Sequence, residues 1–345
     1  MKSHIFRYIY NTRHNHFPPN KQLMKKILLP LLLFVLTCAS CFKKMAQSPA
    51  ADRKDELHFL EKHFTDDQMN KLLATKTVFF YRKGDQASLD SLKQSLSSSW
   101  TITPLIFADI NEFDTYYGNP DYSYFIIEGI TTTTYSSTGS YSNTHYYLTL
   151  QAYDHFDTKK KKLQTDAFCR IELYPNSSTL FSGAYVSKKN DVIGKLYDHG
   201  QFYNWTPVML SANLGIVDAN LKNKYRPWLY ADMRDPNLSR LARKDTLFIL
   251  NTDFMSFNKF NGKEKKNSDL EFSAYGAPYR VCSSAELFQI FQNEKRGRLL
   301  FEYVKSSTDK YVSVIDTKDK KYLYKKYTPV SYNLKSKDLE KILND

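Results

Sequence analysis

Apolar and polar positions follow similar patterns in two separate regions of the chain. Segment 72–80 lies 169 residues before a similar segment, 241–249, and each reads as a short helix leading into a buried strand. Further along the offset becomes 174, so that 124–128 matches 298–302. Matching segments in the same order predict an internal duplication, with chance similarity of composition as the alternative.

The elements predicted for each copy run helix, strand, helix, strand, helix, and then a three-stranded antiparallel meander. In the first copy, Leu89, Leu92 and Leu96 share one face of the second helix. In the second copy, turn-forming residues divide 298–330 into three strands, and a last helix is expected at 336–343. The predicted fold class is α/β with mixed sheets, in two pseudo-symmetric modules.

The third helix of each copy opens with the same local signal. Asp109 is followed three residues later by Glu112, and Ser283 is followed three residues later by Glu286. In this capping-box spacing, the two side chains accept hydrogen bonds from backbone N–H groups that the first helical turn leaves free. Both positions are therefore predicted to be helix starts.

Composition and patterning together divide the chain into five segments. Two helices in the connector are expected to pack between the modules, because its apolar residues recur at helical spacing. The predicted segments are a signal peptide (1–40), a polar tether (41–55), the first module (56–175), a helical connector (176–225) and the second module (226–345).

The first 40 residues have the pattern of a secretory signal peptide. Lys25 and Lys26 precede an apolar run, 27–36, and small residues follow it. The run is shorter than the roughly 20 residues that a spanning helix needs, which argues against a permanent transmembrane anchor. Because 1–23 is charged and rich in histidine, translation is expected to begin at Met24; a long charged leader is the alternative.

Ala39-Ser40-Cys41 resembles the lipobox of bacterial lipoproteins, although Cys38 stands where that family usually has leucine. The resemblance implies that Cys41 is lipidated and becomes the first residue of the mature chain, with the membrane as partner through the lipid. No acidic residue follows Cys41 at once, which by the same resemblance favours the outer membrane facing the periplasm. A signal peptide without lipidation is the alternative. The body resembles no family.

The net charge of the chain adds little to these predictions. The formal net charge is +13, and the first 40 residues hold six basic and no acidic side chains, so the mature chain carries +7. Its lysine runs fall between strand-like segments and are predicted to be solvated turns. A nucleic-acid partner is not expected, because it would need a basic face interleaved with stacking aromatics.

Catalytic and cofactor motifs are absent from the sequence. No two glycines lie within five positions of each other, which excludes the glycine-rich phosphate loops. Neither H-E-x-x-H nor G-x-S-x-G occurs, and no two histidines of the mature chain have a helical spacing suited to a metal. No cofactor and no metal are therefore expected.

Two cysteines remain in the body of the mature chain, Cys169 and Cys282. An envelope location permits a disulfide, but the two residues fall at non-equivalent places in the two copies. They are expected to be buried free thiols, with a bridge as the alternative.

Segment 122–153 is predicted to be a long hairpin with a serine- and glycine-rich tip, longer than its counterpart in the second copy. The extension is expected to reach into solvent, because a polar tip buries little area. Tyr135, Tyr141 and Tyr146 would then form an exposed binding surface. The alternative is that these tyrosines pack on the sheet, because tyrosine is a good strand former.

The sequence as a whole predicts an envelope lipoprotein that acts as a non-catalytic binding or interaction module, with an envelope protein or a glycan as partner. The alternative is a hydrolase for glycan or peptide, with a dispersed site in the cleft between the modules. Spacing along the chain leaves the question of catalysis open, because catalytic groups are defined by their positions in space.

Overall fold

The computed structural model describes residues 61–136, 139–159, 161–184, 189–198, 200–258, 262–267, 270–293 and 299–344. For 131–136, 139–142, 162, 181–184 and 189–192, it describes the backbone alone. The expected signal peptide, the lipidation at Cys41 and the tether lie outside these residues. Residues 52–345 form one compact unit.

The strands of the described residues form two large sheets and two short two-stranded ribbons. They are β1 (Lys62–His63), β2 (Lys76–Tyr81), β3 (Leu105–Asp109), β4 (Tyr122–Ser136), β5 (Gly139–Asp157), β6 (Lys162–Leu173), β7 (Tyr225–Arg226), β8 (Met233–Arg234), β9 (Leu247–Leu250), β10 (Met255–Phe257), β11 (Glu264–Lys266), β12 (Tyr279–Cys282), β13 (Leu299–Lys305), β14 (Lys310–Asp316) and β15 (Lys321–Thr328).

The described residues also form nine α-helices, and none of these helices is both long enough and apolar enough to cross a membrane. They are α1 (Asp66–Leu73), α2 (Leu89–Ser99), α3 (Phe113–Tyr116), α4 (Ser177–Ala184), α5 (Lys189–Asp198), α6 (Pro207–Lys222), α7 (Leu238–Ala242), α8 (Ser284–Asn293) and α9 (Ser336–Asn344).

The first large sheet has the strand order β3-β2-β4-β5-β6. Strand β2 runs parallel to both of its neighbours, whereas β4, β5 and β6 form an antiparallel meander. Residues 77–80 of β2 are all buried, as expected for an apolar strand that is covered on both faces.

The second large sheet has the order β12-β9-β13-β14-β15-β8. Strand β9 is parallel to β12 and β13, and β13, β14 and β15 form an antiparallel meander to which β8 adds one strand. Five strands of each sheet therefore share one order and one set of directions, and the chain is an α/β protein with mixed sheets. That the two modules arose by duplication stays a prediction.

One backbone hydrogen bond occurs at the same place in both sheets. The Thr77 N–H donates to the Pro104 carbonyl at 2.8 Å, and the Leu247 N–H donates to the Pro278 carbonyl at 3.0 Å. These two hydrogen bonds make Thr77 equivalent to Leu247, whereas the sequence match pairs Thr77 with Thr246. A slip of one residue along a strand exchanges its two faces, so local similarity identifies the strand but not its register.

The second helix predicted for the second module is not present in the described residues between β9 and β12. That stretch holds the β10–β11 hairpin and two 3₁₀ turns, Asn251–Phe254 and Phe272–Tyr275. The first module has α2 at this position, and Leu92 and Leu96 are buried there. The second module lacks that leucine spacing, so the prediction of equal helices in both modules is wrong.

Both predicted capping boxes form. The Asp109 N–H donates to Glu112 Oε1 at 3.3 Å, while the Asp109 side chain accepts from the first turn. The Ser283 N–H donates to Glu286 Oε2 at 2.8 Å, and the Glu286 N–H donates to Ser283 Oγ at 3.3 Å. The predicted helix starts at these two positions are confirmed.

Helix α6 belongs to the cores of both sheets. Leu210 and Leu214 pack in the cluster of the first sheet, and Val208 and Ile216 pack in a cluster with the second sheet. Thr206 caps the helix, its side chain accepting from the Met209 N–H. A helix that is apolar all round is buried on all sides. With α4 and α5, it makes three helices in the connector, where the sequence predicts two.

Cys169 and Cys282 are both buried free thiols, in different apolar clusters. Burial raises the pKa of Cys169 to about 12 and also raises the pKa of Cys282. Both thiols therefore stay protonated at neutral pH, and neither has the thiolate character of a nucleophile.

Candidate functional site

A groove of about 1050 Å³ lies on one face of the first sheet. Tyr124, Ile126 and Glu128 line its floor at alternate positions of β4, because successive side chains of a strand point to opposite faces. Phe125, which points the other way, packs on Trp100 with ring centroids 5.2 Å apart. One face of the sheet is thus covered by core, and the other face carries the groove.

Gln151 of β5 ties the polar groups of the floor together. Its Nε2 donates to Glu128 Oε1 at 2.9 Å, and its Oε1 accepts from Thr165 Oγ1 at 3.1 Å and from the Tyr124 hydroxyl at 3.4 Å. Burial raises the pKa of Tyr124, so its hydroxyl keeps its proton and donates. These bonds fix the orientation of the Gln151 amide before any ligand arrives.

Charged side chains of both signs line the walls of the groove. The Arg170 guanidinium lies 5.1 Å from the ring centroid of Tyr147, and Arg226 Nη1 donates to the Ala167 carbonyl at 2.6 Å. Burial lowers the pKa of Arg226 to about 10, which leaves it charged at neutral pH. The acidic residues of the lining, besides Glu128, are Asp114, Asp154, Asp166 and Asp198.

A pair of stacked rings stands at one end of the groove. The centroids of Phe113 and Tyr117 are 5.0 Å apart with 26° between the ring planes, and Tyr117 is 39% exposed. Gly118 follows with φ +76°, and a Cβ there would lie 2.6 Å from Leu163 Cδ1. Glycine is required here because it adopts the left-handed turn and lets the chain approach β6.

The groove exists because α3 is short. Helices α3 and α8 follow equivalent strands and equivalent capping boxes, but α3 has four residues and α8 has ten. In the second module, Leu287 and Phe291 of α8 cover the sheet by packing on Phe248 and Leu300. In the first module, the groove lies beyond the Phe113–Tyr117 pair, and Ile193, Gly194 and Asp198 of α5 also line it.

The long predicted hairpin is present as β4 and β5, but it does not place all three tyrosines at a surface. The side chains of Tyr135 and Tyr141 lie outside those that the structure describes. Tyr146 is 1% exposed, its ring packs on Phe202, and its hydroxyl donates to the Thr179 carbonyl at 3.0 Å. The prediction that Tyr146 belongs to an exposed surface is wrong, because it points to the covered face of the sheet.

The lower part of the hairpin contacts the second sheet at the β13–β14 turn. The Thr144 N–H donates to Ser307 Oγ at 2.8 Å, and Ser306 Oγ donates to Asn143 Oδ1 at 2.7 Å. Asn143 Nδ2 also donates to Asp309 Oδ2. The expectation that the extension only reaches into solvent is therefore wrong for this part of the hairpin.

Buried polar groups lie at the boundary between the sheets, where the hydrolase alternative would place a cleft. Glu302 Oε1 accepts from Asn213 Nδ2 at 2.9 Å and from Asn204 Nδ2 at 3.3 Å, and burial raises the pKa of Glu302. Glu172 Oε1 lies 3.2 Å from His145 Nδ1. Both carboxylates are less than 10% exposed.

A cavity beside this cluster is lined by Asn213, Tyr322 and Lys325, and its volume is about 50 Å³. Ligand sites for small molecules hold roughly 300 to 1,000 Å³, so this cavity admits water but not a sugar or a peptide. No group of three or more His, Cys, Asp or Glu side chains in the described part of the chain is placed to hold a metal ion.

Nothing in the sequence distinguishes the polar residues of the groove from residues on the solvated face of a strand. Glu128 and Gln151 stand alone among apolar neighbours, 23 positions apart. Only the antiparallel register, which pairs Tyr124 with Gln151 and Tyr153 with Thr165, brings them together. The period-2 alternation along β4 is the one feature of the sequence that indicates which of its side chains share a face.

Comparisons of the chain with protein-family models, with curated proteins and with solved structures find no match. The class of fold alone does not specify a function, because many functions occur on α/β folds. The chemistry of the groove is therefore the remaining guide to the function of the chain.

Proposed function

We propose that this chain is a non-catalytic binding module of the cell envelope and that the groove on the first sheet is its ligand site. The observation that carries the proposal is the bonded set Glu128, Gln151, Thr165 and Tyr124, held in fixed orientation in a groove of about 1050 Å³. Large concave surfaces with a few fixed polar groups are the usual sites of ligand binding.

The lining favours a glycan as the ligand. Sugar hydroxyls both donate and accept hydrogen bonds, which suits the amide of Gln151 and the carboxylate of Glu128. The exposed ring of Tyr117, stacked on the half-buried Phe113, offers an apolar surface for the face of a sugar ring. A partner helix would instead need an apolar groove. An extended segment of an envelope protein is the second class of partner.

Attachment through Cys41 completes the proposal. Small residues before Cys41 and a polar stretch, 42–55, after it support a lipid anchor followed by a tether, on the periplasmic side of the outer membrane. In cells, Cys41→Ser is expected to abolish lipid labelling and to release the protein from membranes. Unchanged labelling would contradict the anchor but leave the groove untouched.

The experiment that tests the groove is capture of soluble cell-wall glycan fragments by the purified protein. Gln151→Ala removes the amide that donates to Glu128 and accepts from Thr165 and Tyr124, so these groups lose their fixed orientation. Loss of hydrogen bonds of this kind is worth about 1.5–3 kcal/mol, so capture is expected to weaken by roughly 10- to 100-fold.

The matched control is Gln94→Ala, which makes the same change at an exposed position of α2. It is expected to leave capture unchanged, because Gln94 does not line the groove. Equal capture by wild type and Gln151→Ala would refute the site.

The hydrolase alternative needs an open cleft between the modules, and the two cavities described at that boundary, of about 50 and about 270 Å³, are smaller than the roughly 300 to 1,000 Å³ of a usual ligand site. Release of new reducing ends or new amino groups, when the protein is incubated with wall glycan and its peptides, would nevertheless overturn the non-catalytic assignment. The same assay run on Gln151→Ala would locate the activity in the groove or outside it.

A further inference from the structure

Five lysines line a second groove, of about 490 Å³, formed by β14, β15 and α9. The one carboxylate among its described lining residues is Asp338. An accumulation of like charges on one concave surface is unfavourable unless a ligand of opposite sign compensates it. The lysines are Lys310, Lys326, Lys335, Lys337 and Lys341.

The carboxylate of Asp338 is already engaged by its neighbours. It contacts the buried ammonium of Lys310 and accepts from the Lys335 N–H at 2.9 Å. Lys310 Nζ also donates to the Asn333 carbonyl at 2.8 Å. Burial lowers the pKa of Lys310, Asp338 opposes this, and the ammonium groups of Lys335 and Lys337 lower the pKa further.

Of the other four lysines, one is paired and three leave an uncompensated positive charge. Lys326 Nζ lies 2.6 Å from Asp232 Oδ2. Lys335, Lys337 and Lys341 form no ion pair with any carboxylate in the described residues. The groove contains lysine and no arginine in its lining, and flexible point charges suit mobile anionic groups better than one rigid, bidentate anion.

An exposed apolar tip stands next to these lysines. Val330 is 69% exposed and lies between Pro329 and Ser331, which both line the groove. Its φ is 56°, a conformation that β-branched residues rarely adopt, and its N–H donates to Asp309 Oδ1 at 2.9 Å. Asparagine or glycine would fit this backbone with less strain, so stability does not account for valine here.

We propose that the lysine face, defined as Val330 together with the five groove lysines, binds an anionic membrane surface. Val330 enters the interfacial region, and the ammonium groups of Lys335, Lys337 and Lys341 contact the phosphate-bearing headgroups around it, while the buried Lys310 holds Asp338. An apolar element rimmed by basic side chains combines the two forces that hold peripheral proteins on membranes. This face shares no lining residue with the groove on the first sheet and does not depend on lipid at Cys41.

The test is vesicle binding by the mature chain, which begins at residue 41 and carries Cys41→Ser, so that neither the signal peptide nor an acyl chain contributes. Binding is expected with vesicles of phosphatidylcholine and phosphatidylglycerol, not with phosphatidylcholine alone, and it should fall as salt is raised. The double variant Lys335→Ala, Lys337→Ala is expected to bind about 30-fold more weakly, since each lysine near an anionic surface contributes about fivefold.

The matched control is Lys76→Ala, Lys83→Ala, which removes the same charge from exposed positions of the first module. It is expected to change binding less than about threefold, because neither lysine lines the groove of the lysine face. Val330→Asn keeps the positive φ and removes the apolar side chain, so it should weaken binding about tenfold.

Three results would each overturn the proposal. The first is absence of binding to phosphatidylglycerol vesicles. The second is equal weakening by the two lysine pairs, which would show an effect of net charge alone. The third is binding of inorganic phosphate without binding of vesicles, which would assign the lysines to a soluble phosphate compound.

Discussion

Asp253 shows at the scale of one residue how burial makes stability depend on pH. It is 3% exposed, and its Oδ2 has no hydrogen-bond partner among the described residues. Burial raises its pKa well above the ordinary value of 3.8, and the Glu302 carboxylate raises it further. The folded state thus favours the protonated form, so this contribution to stability is complete below about pH 3.8 and is lost as pH rises through the folded pKa.

Asp253→Asn removes the ionisable group while keeping its shape. The free energy of unfolding, measured in urea from about pH 4 to pH 8, is expected to fall less steeply with pH than in wild type, with the largest gain at the highest pH. Asp319→Asn, at an exposed site, serves as the control. If both variants kept the wild-type slope, Asp253 would have no role in the pH dependence.

Single residues also mark where the sequence ceases to be informative. The sequence identifies tyrosines 135, 141 and 146 equally as strand residues, yet Tyr146 lies in the core. Alternation tells which side chains share a face, but not which face another element covers. That information comes from long-range packing on Phe202 and Thr179.

At the scale of elements, the β4–β5 hairpin connects the two sheets through Asn143. This side chain is 4% exposed and bonds with Ser306, Ser307 and Asp309. Asn143→Ala is expected to lower the free energy of unfolding by about 2–3 kcal/mol, because it leaves buried polar partners unsatisfied. Urea titration would measure this loss.

Asn111→Ala makes the same change at an exposed position and is expected to alter stability by less than about 0.5 kcal/mol. If Asn143→Ala changed the free energy of unfolding as little as Asn111→Ala does, the hairpin contact would not hold the sheets together.

Elements with a local signal were predictable, and elements without one were not. The capping boxes at Asp109 and Ser283 are confirmed, because all of their atoms lie within one turn. The prediction of a second helix in the second module is wrong, because it rests on similarity to the first copy and not on the spacing of apolar residues in the second. The length of α3 was also not predictable, since both capping boxes look alike in sequence.

At the scale of the whole molecule, two sheets of the same strand order have different surroundings. Helix α6 packs against both, and α8 covers the second sheet, while the shorter α3 leaves a groove on the first sheet that α5 also lines. The candidate site is therefore a property of one module only. The sequence could not place it, because its polar groups come from β4, β5 and β6 and meet only after the meander has formed.

Glycan binding in the groove on the first sheet is tested most directly by titrating the protein with soluble cell-wall glycan fragments and following backbone amide chemical shifts. Saturable shifts are expected to centre on Glu128, Gln151 and Thr165, to be lost in Gln151→Ala and to be kept in Gln94→Ala. Saturable shifts confined to the second sheet, or no shifts at glycan concentrations that saturate known glycan-binding proteins, would contradict binding in this groove.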